Sequence, residues 1–242
     1  MSLQSTASKK LVLVCPPLFV PTSPPAGIAM LKAYAENCQQ EWQVLLKDLN
    51  LWAFDSCFEA LHNGQIIPND AFYSDRNLSR EALFESFRAF KGQINSPAFF
   101  EDPDLYNLMG EGLLYFTEFC RNSMQSECIA FLEKGRVYPF LSRMIAKLEV
   151  RGADALGISV SFPQQLIAAA AIGKYVREKY QIPVVFGGGY FTDRSVEHFA
   201  EWYPLSFDMI VTGEGEDALL SLLDNGFEPR DIPNVIYREN GY

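Results

Sequence analysis

Histidine is scarce: the 242 residues contain two, His62 and His198, which argues against a metal centre built from several imidazoles. Basic residues are also in the minority. Twenty Lys and Arg stand against thirty Asp and Glu, a formal net charge of −10. Neither a nucleic-acid backbone nor an anionic membrane surface finds the basic face it needs. No apolar run approaches the ~18 residues of a membrane span. The segment Met1 to Lys10 lacks the long apolar stretch of a secretory signal, so the expected location is the cytoplasm. The five cysteines (Cys15, Cys38, Cys57, Cys120 and Cys128) are scattered, odd in number and without CxxC spacing. In a reducing compartment they read as free thiols that mostly pack.

Several phosphate and nucleophile signatures are missing too. The first apolar run is followed by prolines, not by GxGxxG, and GxxxxGK[ST] occurs nowhere. No acidic residue follows that run, where Cys15-Pro16-Pro17 stands, so a phosphate-accepting receiver domain is not indicated. A GxSxG nucleophile elbow is absent.

What is present is a rhythm of short apolar runs and helical stripes. Leu11 to Cys15 reads as a buried strand, stopped by Pro16-Pro17 and a stiff proline-rich loop reaching Gly27. Pro24-Pro25 pre-set a helix through Ile28, Leu31 and Ala35, and Val44-Leu45-Leu46 forms a second strand. Between residues 51 and 150 apolar residues recur at helical spacing: Leu83, Phe87 and Phe90; Leu105, Met109, Phe116 and Phe119; Leu141, Met144, Ile145 and Leu148. This stretch is expected to be a helical insertion covering the sheet.

Strands resume at Ala155 to Val160, followed by a helix from about Pro163 to Tyr180. Its inner stripe is expected at Leu166, Ala170, Gly173, Val176 and Tyr180. Val184-Val185-Phe186 then ends in Gly187-Gly188-Gly189-Tyr190. A helix near Ser195 to Trp202, a strand Met209-Ile210-Val211, a helix opening after Thr212-Gly213-Glu214-Gly215 and a last strand, Asn234 to Tyr237, complete the chain. Helical crossovers of this length imply right-handed βαβ units and a parallel sheet. The α/β domain thus comes in two halves, 1–50 and 151–242, around the insertion 51–150. The final strand runs straight into the chain end, as expected at a border with a further domain.

In such sheets ligands sit outside the carboxyl ends of the strands. Glycines there let the backbone turn sharply and let a flat group lie against it. Ser159 and Ser161 can offer hydroxyls into the same crevice. Glu214 and Glu216 disfavour a bound phosphate, although as neighbours at a helix start they also complement its dipole.

Taken as an ordered set, four pieces resemble a known module: Pro16-Pro17 with its loop to Gly27, Gly157-Ile158-Ser159, Val184-Val185-Phe186-Gly187-Gly188, and Val211-Thr212-Gly213-Glu214-Gly215-Glu216. They resemble the N-terminal cobalamin (vitamin B12)-binding domain of cobalamin-dependent radical S-adenosylmethionine enzymes. The likeness covers residues 11–50 and 150–237. It implies a flavodoxin-like Rossmann sheet with helices on both faces, cobalamin across its carboxyl edge, and the dimethylbenzimidazole tail in a cleft beside the glycine strand. By motif position Ser161 or Ser159 matches the small hydroxyl residue flanking that tail. Gly187 and Gly188 match the glycines that make room for it, and Gly213 and Glu214 match the GEGE loop at the same edge.

The cofactor-binding set expected on this basis is Thr22, Ser159, Ser161, Phe162, Gly187, Gly188, Gly189, Tyr190, Gly213 and Glu214. Phe162 and Tyr190 could equally pack against neighbouring loops. Aligning on Gly27 places Thr22 and Pro24 at the Asp and His positions of the DxHxxG motif found in some corrinoid proteins. Proline cannot ligate cobalt, so no protein imidazole is expected beneath the metal. No CxxxCxxC occurs either, so S-adenosylmethionine and an iron–sulfur cluster are expected only in a downstream catalytic domain. For this chain the resemblance implies a role in methyl transfer or rearrangement without catalytic residues of its own, its partners being a small-molecule cofactor and that further domain. The rival expectation is a degenerate module of the same fold that binds no corrinoid and acts as a docking or substrate-binding element. A flavin- or nucleotide-binding domain is a third, and the lack of a Ser/Thr-rich phosphate loop counts against it.

Overall fold

A computed structural model of the chain describes residues 8–19, 25–39, 41–63, 97, 101–228 and 231–237. Strand β1 (Lys9–Cys15) is buried at every position from Leu11 to Cys15. Consecutive apolar residues present apolar side chains to both faces, which suits an inner strand of a parallel sheet. Accordingly β1 lies between β2 (Trp42–Asp48) and β3 (Ala155–Ser159), parallel to both. The sheet continues through β4 (Val184–Gly187) and β5 (Met209–Val211), again in parallel.

With β6 (Val235–Tyr237) the order is β2-β1-β3-β4-β5-β6. The first five strands follow the doubly wound, flavodoxin-like order, whose switch point lies between β1 and β3. The last strand departs from the expected all-parallel sheet: β6 runs antiparallel to β5. After the preceding helix the chain climbs back to the carboxyl edge, where the Thr212 N–H donates to the Asn234 carbonyl at 2.9 Å. It can then only descend.

Helices cover both faces. On one face α1 (Ala26–Cys38) and α7 (Glu216–Asp224) pack with Leu11, Leu13, Val44, Val185 and Met209. On the other lie α2 (Leu49–His62), α3 (Pro103–Lys134), α4 (Pro139–Leu148), α5 (Leu166–Tyr180) and α6 (Asp193–Trp202). Their buried residues form one core with Val12, Val14, Leu156, Ile158 and Phe186. The described part of the insertion is thus largely helical, and Phe116, Phe119, Leu141, Met144, Ile145 and Leu148 of its apolar stripes join the core on that face of the sheet. The stripe Leu83, Phe87 and Phe90 lies outside the described residues.

Helix α5 is more deeply buried than a single inner stripe allows. Ala168 through Gly173 and Val176 are all buried, whereas Leu166 and Tyr180 are only half-buried. The reason is a second layer: α3 packs on the outer side of α5, and the Lys174 ammonium donates to the Leu132 carbonyl at 3.0 Å. A short 3-10 turn, Pro163–Gln165, precedes α5.

No described helix is long and apolar enough to cross a membrane. All five cysteines are free; Cys38 is exposed and the other four are buried. Burial pushes the Cys15 and Cys128 thiols up to about 12, so they pack as thiols rather than act as nucleophiles.

Candidate functional site

Side chains alternate across a strand, and β3 alternates in size as well. Leu156, Ile158 and, just past the strand, Val160 belong to the core on the α2–α6 face. The intervening Ala155, Gly157 and Ser159 therefore face α1 and α7. On β4, Phe186 joins the first core, while Val185 and Gly187 turn the other way. Four small residues on two adjacent strands leave the carboxyl half of the α1/α7 face short of material.

The result is a cavity of about 240 Å³ between the sheet and helices α1 and α7. Leu11, Leu13 and Val185 line it from the strands, Ile28 and Leu31 from α1, and Leu219 and Leu222 from α7. Gly27, Gly157, Ser159 and Gly187 border it without filling it. Glu214, on the loop before α7, and Glu216, the first residue of that helix, also line it. A dry apolar cavity of about 150 Å³ suffices to take up benzene, so this one is large enough for two fused rings. A more open depression of about 410 Å³ adjoins it, with Gly188, Gly189 and Gly213 common to both and Thr192, Thr212 and Asn234 on its far side.

Six of the residues expected from sequence border the cavity: Ser159, Gly187, Gly188, Gly189, Gly213 and Glu214. Three lie elsewhere. Ser161 is exposed above the strand end. Phe162, 46% exposed, sets its ring against Phe19 with centroids 5.0 Å apart, closing the gap between the β1 and β3 loops. Tyr190 packs on the opposite core, beside Phe191 and near Tyr203. Thr22 and Pro24 lie outside the described residues. Between the two candidate hydroxyls the geometry favours Ser159: a Cβ on Gly27 would lie 3.9 Å from its Oγ, and it has no side-chain hydrogen bond among the described residues.

The three glycines divide their work. Gly187 has ordinary backbone angles, and a Cβ there would meet Val211 at a comfortable 3.7 Å; its role is the space it leaves. Gly188 sits at φ +105°, and a Cβ there would lie 2.4 Å from the Val160 carbonyl oxygen. It makes the turn that lets the Tyr190 N–H reach that same oxygen at 3.1 Å. A Cβ on Gly189 would meet nothing within 4 Å.

Sequence reasoning missed the brace across the switch point. Gln165 is fully buried. Its Oε1 accepts from the N–H groups of Ser161 at 2.9 Å and Phe162 at 3.0 Å. Its Nε2 donates to the Pro16 carbonyl at 2.6 Å. One amide thus ties the β3 loop to the end of β1, across the switch point. Buried Asn50 helps by accepting from the Phe19 N–H at 3.0 Å. Neither residue belongs to a motif, so nothing local marks them. The small-large alternation from Ala155 to Val160, by contrast, was visible and would have pointed to Gly157.

On the outer side two polar contacts join the cavity's helices. The Tyr34 hydroxyl donates to Asp217 at 2.9 Å, and Gln39 reaches Asp224. The acceptor Asp217 also raises the Tyr34 phenol above its ordinary range, mainly through that hydrogen bond.

Fold and cavity define a class: a doubly wound α/β domain with a largely apolar cavity at the carboxyl edge of its sheet. No family model matches the chain, and no curated protein does. Among the described residues no cluster of three or more His, Cys, Asp or Glu is placed to hold a metal ion. His198 is exposed on α6, beside Trp202, and does not line the cavity.

Proposed function

We propose that this chain is a corrinoid-binding domain: the benzimidazole tail occupies the slot between the sheet and helices α1 and α7, and the corrin ring lies over the carboxyl edge. The observation that carries the reading is the slot itself. It opens beside the glycine strand, is floored by small residues on adjacent β3 and β4, and is walled by aliphatic side chains. The ordered sequence motifs support it independently, since Gly157, Ser159, Gly187 and Gly213 all border one cavity.

The residues present fit the tail better than they fit the metal. Ser159 offers a hydroxyl, Leu13, Leu31 and Leu219 exclude water, and Gln165 braces the neighbouring loops after β1 and β3. No described side chain at the mouth offers an imidazole. When bound, a corrinoid supplies a cobalt centre able to accept and donate a methyl group. The chain's own contribution is shape, orientation and dryness. A radical step would need cluster ligands that these 242 residues do not contain, so the role proposed for this chain within such chemistry is binding.

The test is retention of pigment. The 242-residue protein, incubated with hydroxocobalamin and desalted, should keep near-stoichiometric visible absorbance; colourless protein overturns the reading. The competing docking module has one observation in its favour. A groove lined by Ile129, Leu132, Ile167, Trp202 and Leu205 lies away from the slot, and Trp202 is 68% exposed. Colourless protein would shift attention there.

A further inference from the structure

Among the described residues, the side chains lining the slot offer few hydrogen-bond donors. Leu11, Leu13, Ile28, Leu31, Val185 and Leu222 offer only hydrocarbon, and two carboxylates, exposed Glu214 and half-buried Glu216, line it at the start of α7. Among the described residues Ser159 contributes the one hydroxyl on the cavity's lining side chains. Every backbone group of the floor that takes part in the parallel ladders is committed to β1, β3, β4 or β5. A group entering here must therefore bring few polar atoms with it.

Resting on the corrinoid reading above, we infer that the slot is a selectivity filter for the lower base of the corrinoid: it accepts a benzimidazole and rejects a purine. A dimethylbenzimidazole attached through one ring nitrogen and freed from cobalt exposes one acceptor nitrogen, which the Ser159 hydroxyl can serve. Its remaining edges are C–H and methyl groups. An adenine of similar size carries additional ring nitrogens and an exocyclic amine. These would lose water on entering and find hydrocarbon in its place. Each buried polar group left unpaired weakens binding by a factor of about 5 to 150, so a purine base is expected to bind at least 10-fold more weakly. The lining carboxylates Glu214 and Glu216 do not rescue it: a carboxylate accepts and can serve the amine, but the additional ring nitrogens are acceptors and need donors.

The comparison must not be confounded by how readily each base leaves cobalt. Dicyano forms remove that difference, since cyanide occupies both axial positions and every base is free. The full chain would be titrated by absorbance in excess cyanide with three probes: dicyanocobalamin, its adeninyl counterpart, and dicyanocobinamide, which has no base. The expected result is at least 10-fold tighter binding of dicyanocobalamin than of either other probe. Equal affinity for the benzimidazole and adenine forms overturns the filter while leaving the corrinoid reading standing. Failure to bind any of the three overturns both.

Gly187→Val supplies the internal control. The backbone there tolerates a side chain, and a Cβ meets only ordinary contacts, so the variant should fold, as checked by circular dichroism and melting. Its added methyls occupy the slot, and affinity for dicyanocobalamin should fall to that for dicyanocobinamide. A folded variant that keeps the full benzimidazole preference overturns the filter, because the base would then lie elsewhere.

Discussion

The two faces of the sheet are built from the same strands and yet are packed to opposite ends. Toward α2–α6 the strands present Leu156, Ile158 and Phe186, and the ring of Phe186 meets Phe191, Phe199 and Phe207 at centroid distances of 6.0, 4.8 and 6.4 Å. Toward α1 and α7 they present Gly157, Ser159 and Gly187 beside a cavity of about 240 Å³. Close packing stabilises a fold, and a void forfeits that contribution. The volume missing beside the carboxyl ends of β3 and β4 lies on the α1/α7 face, so the opposite face can supply stability while this one holds a cavity.

The sharpest way to break that contrast is on the filled face. Phe186→Ala removes a fully buried ring and should lower stability by about 3–5 kcal/mol, read from denaturant midpoints. A loss under about 1 kcal/mol would show that this face is not close-packed. Next comes the brace between the faces. Gln165→Leu leaves the Ser161 and Phe162 N–H groups and the Pro16 carbonyl without their partner. A loss of about 1–3 kcal/mol is expected for each group that stays buried, together with faster amide exchange at 161 and 162. Unchanged exchange would remove Gln165 from its role as the brace between the β1 and β3 loops.

Alkaline titration tests the thiol that touches the brace. Burial, then the Asp48 charge, raises Cys15 from 9.0 to about 12, with the Gln165 hydrogen bond pulling the other way. Since the folded-state value is the higher one, this contribution is intact below pH 9. It is lost as pH rises toward 12, at about 1.4 kcal/mol per unit. Cys15→Ala should show a shallower decline over that window. At pH 8 a thiol reagent should modify only Cys38 quickly, and all five cysteines after denaturation.

Adjacent glycines give the finest discrimination. Gly188→Ala should destabilise by about 1–3 kcal/mol, because both its φ and its approach to Val160 forbid a Cβ. Gly187→Ala should be neutral or stabilising by about 0.4–1 kcal/mol, since it restricts the unfolded chain without a clash. Equal effects at the two positions would mean that Gly187 is structural rather than spacious.

Much of the architecture was readable along the chain. The apolar runs at Leu11, Ala155, Val184 and Met209 are all strands, and the stripes at Phe116 and Leu141 are helices, because burial imposes a local period on each. The direction of β6 was not readable, since Val235–Tyr237 pairs as well either way and the preceding loop decides. The site divided similarly. Gly187 and Gly213 announced themselves, whereas Phe162 and Tyr190 turned away from the slot and Gln165 gave no local sign.

By itself the order of residues determined which segments become strands and helices, and that the glycines fall at the carboxyl ends of strands. These follow from backbone sterics and nearest-neighbour periodicity, which act within a few residues. Only the assembled sheet decided that Gly157, Ser159 and Gly187 would share one face under α1 and α7. A void is a property of surroundings: it exists because side chains distant in sequence stop short of the same place.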